Sequence, residues 1–163
     1  MQERIAQVAS HGVLALGLRD GPVHAELRVN ESGPWLIEIA ARSIGGLCSL
    51  TLRFGTGMSL EELILKHALR KEMPEPERER RAAGVMMIPI PRAGVLEEVR
   101  GLAQARAVSD IEDVTISAHV GQTLVPLPEG SRYPGFIFSR AATPERAEVA
   151  LREAHALLEF VVS

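Results

Sequence analysis

The sequence predicts an α+β fold in which helices accompany an antiparallel sheet. Two runs of strand-forming residues flank a cluster of turn formers within Val23–Arg42, which is the pattern of a β-hairpin. Helical spacing of apolar residues precedes this hairpin, and a helix start signal follows it. Short strands then alternate with helices from residue 82 onward. We therefore expect two domains, residues 1–81 and residues 82–163.

The first element is predicted to be a helix from Glu3 to about Leu18, because apolar residues recur there near the 3.6-residue period. The hairpin follows, with Asn30–Pro34 as a five-residue loop. Apolar residues occupy the odd positions of both strands, so one face of the hairpin is expected to be apolar and to pack on a core. These residues are Val23, Ala25, Leu27, Val29, Trp35, Ile37, Ile39 and Ala41.

The register of the hairpin places two carboxylates opposite each other. A hairpin centred on Ser32 keeps the apolar residues on one face and pairs Glu26 with Glu38. Like charges in facing positions destabilise a sheet, whereas a hard divalent cation such as Mg²⁺ between them would reverse that effect. The alternative is a solvated strand face on which Arg28 and Arg42 neutralise the two glutamates.

The segments after the hairpin have weaker signals. Gly45 and Gly46 precede an apolar run and are interpreted as a tight loop leading into a helix, whose free N–H groups can hold a phosphate or carboxylate. A second helix is expected to begin at Ser59 with a capping box to Glu62. The charged, proline-broken segment 70–81 is interpreted as a solvated connection between the domains.

The second half is predicted to be a small α+β domain without chemistry of its own. Its expected strands are 84–90, 114–119, the segment from 123 and 135–139, with a last strand at 160–162, and residues 94–99 are expected to be a short strand or a turn. Its expected helices are a short one at 102–107 and a longer one that starts at Thr143-Pro144 by a cap followed by proline.

Composition is ordinary for a globular protein, with 46% hydrophobic and 24% charged residues. A net charge of −3 gives no indication of nucleic-acid or anionic-membrane binding, and no apolar run is long enough for a membrane span. The single cysteine, Cys48, excludes a disulfide framework or a cysteine metal cluster within the chain. These features predict a cytoplasmic protein.

The segment Gly17–Gly46, GLRDGPVHAELRVNESGPWLIEIAARSIGG, resembles the C-terminal part of an ATP-grasp catalytic domain. The resemblance is to carboxylate–amine ligases of the L-amino-acid-ligase type. It continues diffusely to the end of the chain, through GVLEEVRGL and the Thr-Pro-Glu-Arg-Ala helix. The fold it implies is the C-terminal lobe of an ATP-grasp domain followed by a small α+β domain.

The resemblance implies roles for individual residues. Glu26 and Glu38 match the two glutamates that hold Mg²⁺ (or Mn²⁺) on ATP, and Arg42 matches the catalytic arginine of a Glu-x-Asn-x-Arg pattern. Arg42, Gly45 and Gly46 are expected to contact the phosphate or acyl-phosphate. Ala40 stands where the pattern has asparagine. It cannot ligate a metal, and His24 or water is the candidate replacement.

The implied activity is ATP-dependent joining of a small-molecule carboxylate to an amine through an acyl-phosphate. The lysines and the glycine-rich loop that grip ATP in such enzymes are not found in this sequence. We therefore expect the chain to need an N-terminal ATP-grasp portion, from the same gene or a separate chain, and to be inactive alone. The alternatives are a non-catalytic module for assembly or dimerisation, and a biotin-carboxylase or purine-pathway relative. Neither nucleic acid nor a membrane is expected as a partner.

Overall fold

A computed structural model describes residues 1–55, 57–72 and 77–163 of the chain. It separates into two compact units, Met1–Arg78 and Glu79–Ser163. The sequence-based boundary lay three residues later, and the intervening residues 79–81 belong to the second unit. Both units combine helices with antiparallel strands, which confirms the predicted α+β class.

The first unit opens with helix α1 (Gln2–Ala15), which packs against a two-stranded hairpin. The hairpin strands are β1 (His24–Asn30) and β2 (Gly33–Ala40). Helix and hairpin meet closely at Gly12: a Cβ on that residue would lie 2.6 Å from both Leu36 Cδ2 and Ile39 Cδ1. Glycine at this point therefore lets the helix backbone approach β2.

The predicted hairpin register is right at the open end and wrong at the tip. Glu26 pairs with Glu38, as expected, but Leu27 pairs with Leu36 and leaves Ile37 as the extra residue of a β-bulge. Pairing then continues to Asn30 and Gly33, so the connection has two residues instead of five. Gly33 has φ +125°, a conformation that glycine adopts without strain.

The bulge also corrects the predicted apolar face. A bulge exchanges the faces of the residues beyond it, so Leu36 rather than Ile37 approaches α1, and Ile37 is 64% exposed. Trp35 pairs with Arg28 and is 58% exposed, with its indole N–H donating to Asn30 Oδ1 at 3.1 Å.

The remainder of the first unit is built from short elements. A four-residue 3₁₀ helix, Cys48–Thr51, replaces the helix expected after the glycine pair. A small hairpin, β3 (Arg53–Phe54) and β4 (Met58–Ser59), leads into α2 (Leu60–Ala68). Ser59 Oγ accepts from the Glu62 N–H at 3.1 Å, which confirms the cap, whereas the Glu62 carboxylate pairs with Lys66 at 2.7 Å.

The predicted connection 70–81 is only partly described. Residues 73–76 lie outside the described part of the chain, and Arg78 forms an isolated bridge with Phe54. The bridge pairs part of this segment with the first unit, whereas its charged, proline-broken composition predicted a solvated connection.

The second unit contains two three-stranded antiparallel sheets with strand orders β5-β9-β7 and β10-β6-β8. The strand bounds are β5 Ala82–Met87, β6 Gly94–Arg100, β7 Ile111–Ile116, β8 Thr123–Leu124, β9 Gly135–Ala141 and β10 Glu159–Val162. The helices are α3 (Leu102–Arg106) and α4 (Pro144–Ala156). Helix α4 packs on β9 and β5, and every residue of β9 is buried.

Strand β9 carries a buried cation. Arg140 is 3% exposed, and its guanidinium bonds Glu79 at 2.5 Å and Glu112 at 2.8 Å. Buried charges are found in folded proteins when they are paired in this way. The triad ties the start of the second unit to the central strand of its sheet.

Candidate functional site

The carboxylate pair predicted from the sequence lies towards the open end of the β1–β2 hairpin, away from its turn. Glu26 and Glu38 are Cα partners directly before the bulge, so their side chains project from the same face of the sheet. Both glutamates are exposed to solvent. The bulge is relevant to this geometry because bulges re-aim side chains beside functional sites.

The arginines expected beside these carboxylates do not pair with them in the described part of the chain. In the described part of the chain, neither Glu26 nor Glu38 forms an ion pair with an arginine, and the Arg42 guanidinium instead donates to the Ser43 carbonyl at 3.0 Å. The contact of Glu26 is with His24, whose Nε2 lies 3.3 Å from Glu26 Oε1. The face is therefore solvated, as the alternative interpretation expected, but the described residues lack the arginine pairing that it also expected.

The potential metal ligands of this site are the carboxylates of Glu26 and Glu38. Among residues 1–55, 57–72 and 77–163, no group of three or more His, Cys, Asp or Glu side chains is arranged to hold a metal ion. Mg²⁺ is commonly bound by only one or two carboxylates, with waters and substrate phosphates as its other ligands. Two facing glutamates fit that mode, and Ala40, which lies opposite His24, adds no ligand.

Arg42, Gly45 and Gly46 follow β2 in a loop. The Arg42 N–H donates to the Ala40 carbonyl at 2.8 Å, which turns the chain away from the strand. Gly46 has φ +63°, and the next helical element is the short 3₁₀ helix from Cys48. The loop amides, rather than the start of an α-helix, are thus the backbone donors available here, and their role with an anion stays a prediction.

A second polar cluster, absent from the sequence-based expectations, joins the α1–β1 loop to α2. His67 Nε2 lies 2.5 Å from Asp20 Oδ1, and Arg70 Nη2 lies 2.7 Å from Asp20 Oδ2. The hydrogen bond with His67, and then the charge of Arg70, hold the pKa of Asp20 below its usual value of 3.8. His67 and Arg70 lie 47 and 50 positions after Asp20 in the sequence, so no local pattern could have indicated the cluster.

Two cavities flank this cluster in the first unit. One, of about 790 Å³, lies between α1 and the start of β1, and Asp20 and His67 line it. The other, of about 510 Å³, lies between the start of β1, the Ser43–Ile44 segment and α2. His24 and His67 both line the second cavity, so it adjoins the histidine that contacts Glu26.

Comparison with protein families matches both halves of the chain. Residues 1–51 match a model described as ATP-grasp domain, and residues 86–163 match one described as L-amino acid ligase C-terminal domain 2. A curated relative, the uncharacterized protein y4rH of Sinorhizobium fredii, is 24% identical over 161 residues. This alignment covers 99% of the chain and 34% of the relative, so the chain spans about a third of that protein's length.

Solved structures of ATP-using ligases and synthetases are also similar to this chain. The L-amino acid ligase from Bacillus licheniformis superimposes with a TM-score of 0.83 and 28% identity, covering 99% of this chain and 41% of the ligase. Phosphoribosylglycinamide synthetase from Anaerococcus prevotii matches at TM-score 0.73, with 16% identity and coverage of 93% and 39%. N5-carboxyaminoimidazole ribonucleotide synthetase from Thermotoga maritima matches at 0.71, with 18% identity and coverage of 96% and 41%. The last two matches show a shared fold.

These matches define the chain as the C-terminal part of an ATP-grasp enzyme fold. Within that fold, the chain is most specifically similar to ligases of the L-amino-acid-ligase type, because residues 86–163 match their C-terminal domain model and nearly the whole chain superimposes on a solved L-amino acid ligase. The resemblance found in the sequence is thereby confirmed. In the described part of the chain, no helix is long and apolar enough to cross a membrane.

Proposed function

We propose that this chain supplies the metal-binding half-site of an ATP-dependent carboxylate–amine ligase that works through an acyl-phosphate. The observation that carries the proposal is the direct pairing of Glu26 with Glu38, two exposed carboxylates that no described arginine neutralises. The similarity of the chain to ATP-grasp ligases supports the same assignment.

The residues suit this chemistry. Glu26 and Glu38 would hold Mg²⁺ or Mn²⁺ together with the phosphates of ATP. When bound, such an ion neutralises charge on a transferring phosphoryl group. Arg42 offers a planar set of N–H donors that fits paired phosphate oxygens, and the Gly45 and Gly46 amides can donate to the same anion or to a substrate carboxylate.

The proposal includes a division of labour. The nucleotide-gripping lysines and glycine-rich loop would come from an N-terminal ATP-grasp portion, in the same protein or a separate chain. Within this proposal the isolated chain is inactive, and the carboxylate and amine substrates meet the metal half-site only in the complete assembly.

Amine-dependent release of ADP tests the proposal. The chain alone is expected to release none, whereas its assembly with the N-terminal portion is expected to do so. Glu38→Gln in that assembly should abolish ADP release, while Glu31→Gln in the hairpin turn should leave it unchanged. Activity of the isolated chain would contradict the division of labour, and an active Glu38→Gln assembly would remove the metal assignment.

A second candidate function, a non-catalytic assembly module, is favoured by the packing of the first unit. All buried hydrophobic side chains of the described residues lie between Ile88 and Val162, so the first unit has no fully buried apolar side chain. Exposed apolar surface promotes association. Light scattering during size-exclusion chromatography separates the candidates, because a monomer across concentrations would contradict the assembly module.

A further inference from the structure

The bulge in β2 contains one residue, Ile37, that the pairing of the hairpin does not need. Three cross-strand pairs lie on the open side of the bulge and four on its turn side, and the two sets differ in register by one residue. Without Ile37, all of these pairs would follow a single register, and the two-residue turn between Asn30 and Gly33 would be unchanged. Neither the turn nor the strand pairing therefore requires the extra residue.

The packing of the hairpin against α1 does not require Ile37 either. Leu36 and Ile39 are the residues that lie closest to Gly12 of the helix. In a hairpin without Ile37, strict alternation would keep both on that face and Glu38 on the opposite one. The Ile37 side chain is 64% exposed, so the described residues bury little of it. A departure from regular structure without a packing role is expected at functional sites.

The bulge lies directly beside the carboxylate pair. The register shift falls immediately after the Glu26–Glu38 pair, on its turn side. A bulge bends its strand and increases the local twist, so it turns neighbouring side chains relative to those of the partner strand. Glu38 follows Ile37 in the chain, so its side chain is the one on β2 that the bulge turns relative to Glu26.

We propose that the bulge at Ile37 is a positioning element, which sets the direction of the Glu38 carboxylate relative to Glu26 and so favours Mg²⁺ over Ca²⁺. The inference rests on the proposed function, because it concerns how the two carboxylates share a metal ion. Mg²⁺ requires a nearly ideal octahedron of ligands at about 2.1 Å, whereas Ca²⁺ accepts oxygens at about 2.3–2.6 Å in a flexible arrangement. The direction of each carboxylate therefore matters more for Mg²⁺ than for Ca²⁺.

The test is an NMR titration of the full chain with MgCl₂ and, separately, with CaCl₂, followed at the amides of Glu26 and Glu38. Deletion of Ile37 should lower the affinity for Mg²⁺ about tenfold or more, as loss of a group that orients a metal ligand usually does. The affinity for Ca²⁺ should fall by a smaller factor, so the preference for Mg²⁺ should decrease. A merely structural role of the bulge would change both affinities equally. Cross-strand Overhauser contacts between Arg28 and Trp35 verify that the deletion keeps the register.

Two substitutions at Ile37 keep the chain length and separate the backbone of the bulge from its side chain. Ile37 lies outside the positive-φ region, so Ile37→Ala should retain the bulge and the affinity for Mg²⁺. Ile37→Gly should loosen the bulge, because glycine has the greatest backbone freedom, and part of the preference for Mg²⁺ should be lost. This pair of variants decides the question if the deletion disrupts the strand pairing.

An unchanged preference for Mg²⁺ after deletion of Ile37, with the register intact, would overturn the inference. So would equal behaviour of Ile37→Gly and Ile37→Ala, or a loss of Mg²⁺ affinity in Ile37→Ala. Glu38→Gln in the same titrations separates this inference from the proposed function, because it should abolish the saturable shifts with both ions. Shifts that survive in Glu38→Gln would overturn the half-site itself, whereas their loss there together with an unchanged deletion variant overturns only the positioning role of the bulge.

Discussion

Glu38→Gln is expected to stabilise the metal-free chain, although it removes a residue of the proposed site. Glu26 and Glu38 face each other without an arginine partner in the described part of the chain. Facing like charges cost about 0.2–1 kcal/mol in a sheet. Coulomb's law gives about 0.7 kcal/mol for two charges roughly 6 Å apart in water. The neutral amide keeps the shape of the side chain, so we expect a gain of about 0.5 kcal/mol at low ionic strength.

Trp35 provides a local assay of this effect. It is the only tryptophan in the chain and lies in β2, so the urea dependence of its fluorescence reports unfolding of the first unit. Measurements in EDTA should show a higher unfolding midpoint for Glu38→Gln than for the unmodified chain. The difference should nearly vanish in about 1 M salt, where the Debye length falls to about 3 Å. Glu31→Gln removes one charge in the turn and is the matched control.

Added Mn²⁺ should reverse the order of stability. An ion that binds only the folded state stabilises it by an amount that grows with its concentration relative to its dissociation constant. The unmodified chain should therefore gain stability with Mn²⁺ while Glu38→Gln gains little. A loss of stability in metal-free Glu38→Gln, or a gain that persists unchanged in high salt, would refute the reasoning about facing carboxylates.

Three further predictions concern the scaffold. Arg140→Met should destabilise the second unit by about 3 kcal/mol, because two carboxylates lose a buried cation. The urea dependence of Tyr133 fluorescence measures this loss of stability, and an unchanged unfolding midpoint would contradict the role of the Arg140 triad. Asp20 has a folded-state pKa below its unfolded value, so its contribution to stability is complete above about pH 3.8 and is lost as the pH falls through the folded pKa. Asp20→Asn should remove that part of the acid dependence of Trp35 fluorescence, and an identical acid profile would contradict the assignment. Ser59→Ala should lower the stability of α2 by about 1 kcal/mol, because the helix loses its N-terminal cap. Amide hydrogen exchange of α2 measures this change, and unchanged protection would show that the cap does not stabilise the helix.

The parts of the fold that depend on local patterns could be predicted from the sequence. Alternation of apolar and polar residues gave the hairpin and the pairing of Glu26 with Glu38. Ser59 and Thr143 identified the starts of α2 and α4, because their hydroxyls accept from N–H groups only three residues ahead. These signals lie within a few residues of the structure they determine.

The remaining features depend on contacts between distant residues. The bulge at Ile37 shifts the tip of the hairpin by one residue, and nothing in the alternation pattern marks it. The Asp20 cluster joins residues from two elements, and the Arg140 triad joins β9 to Glu79 and Glu112. Sequence periodicity carries no information about such pairings, so only the folded arrangement could reveal them.

The affinity of the chain for Mn²⁺, measured by electron paramagnetic resonance of the free ion, tests the central claim most directly. The proposed half-site predicts saturable binding that is lost in both Glu26→Gln and Glu38→Gln and retained in Glu31→Gln. Binding that survives both substitutions, or that the unmodified chain lacks in the presence of ATP and the N-terminal portion, would contradict it.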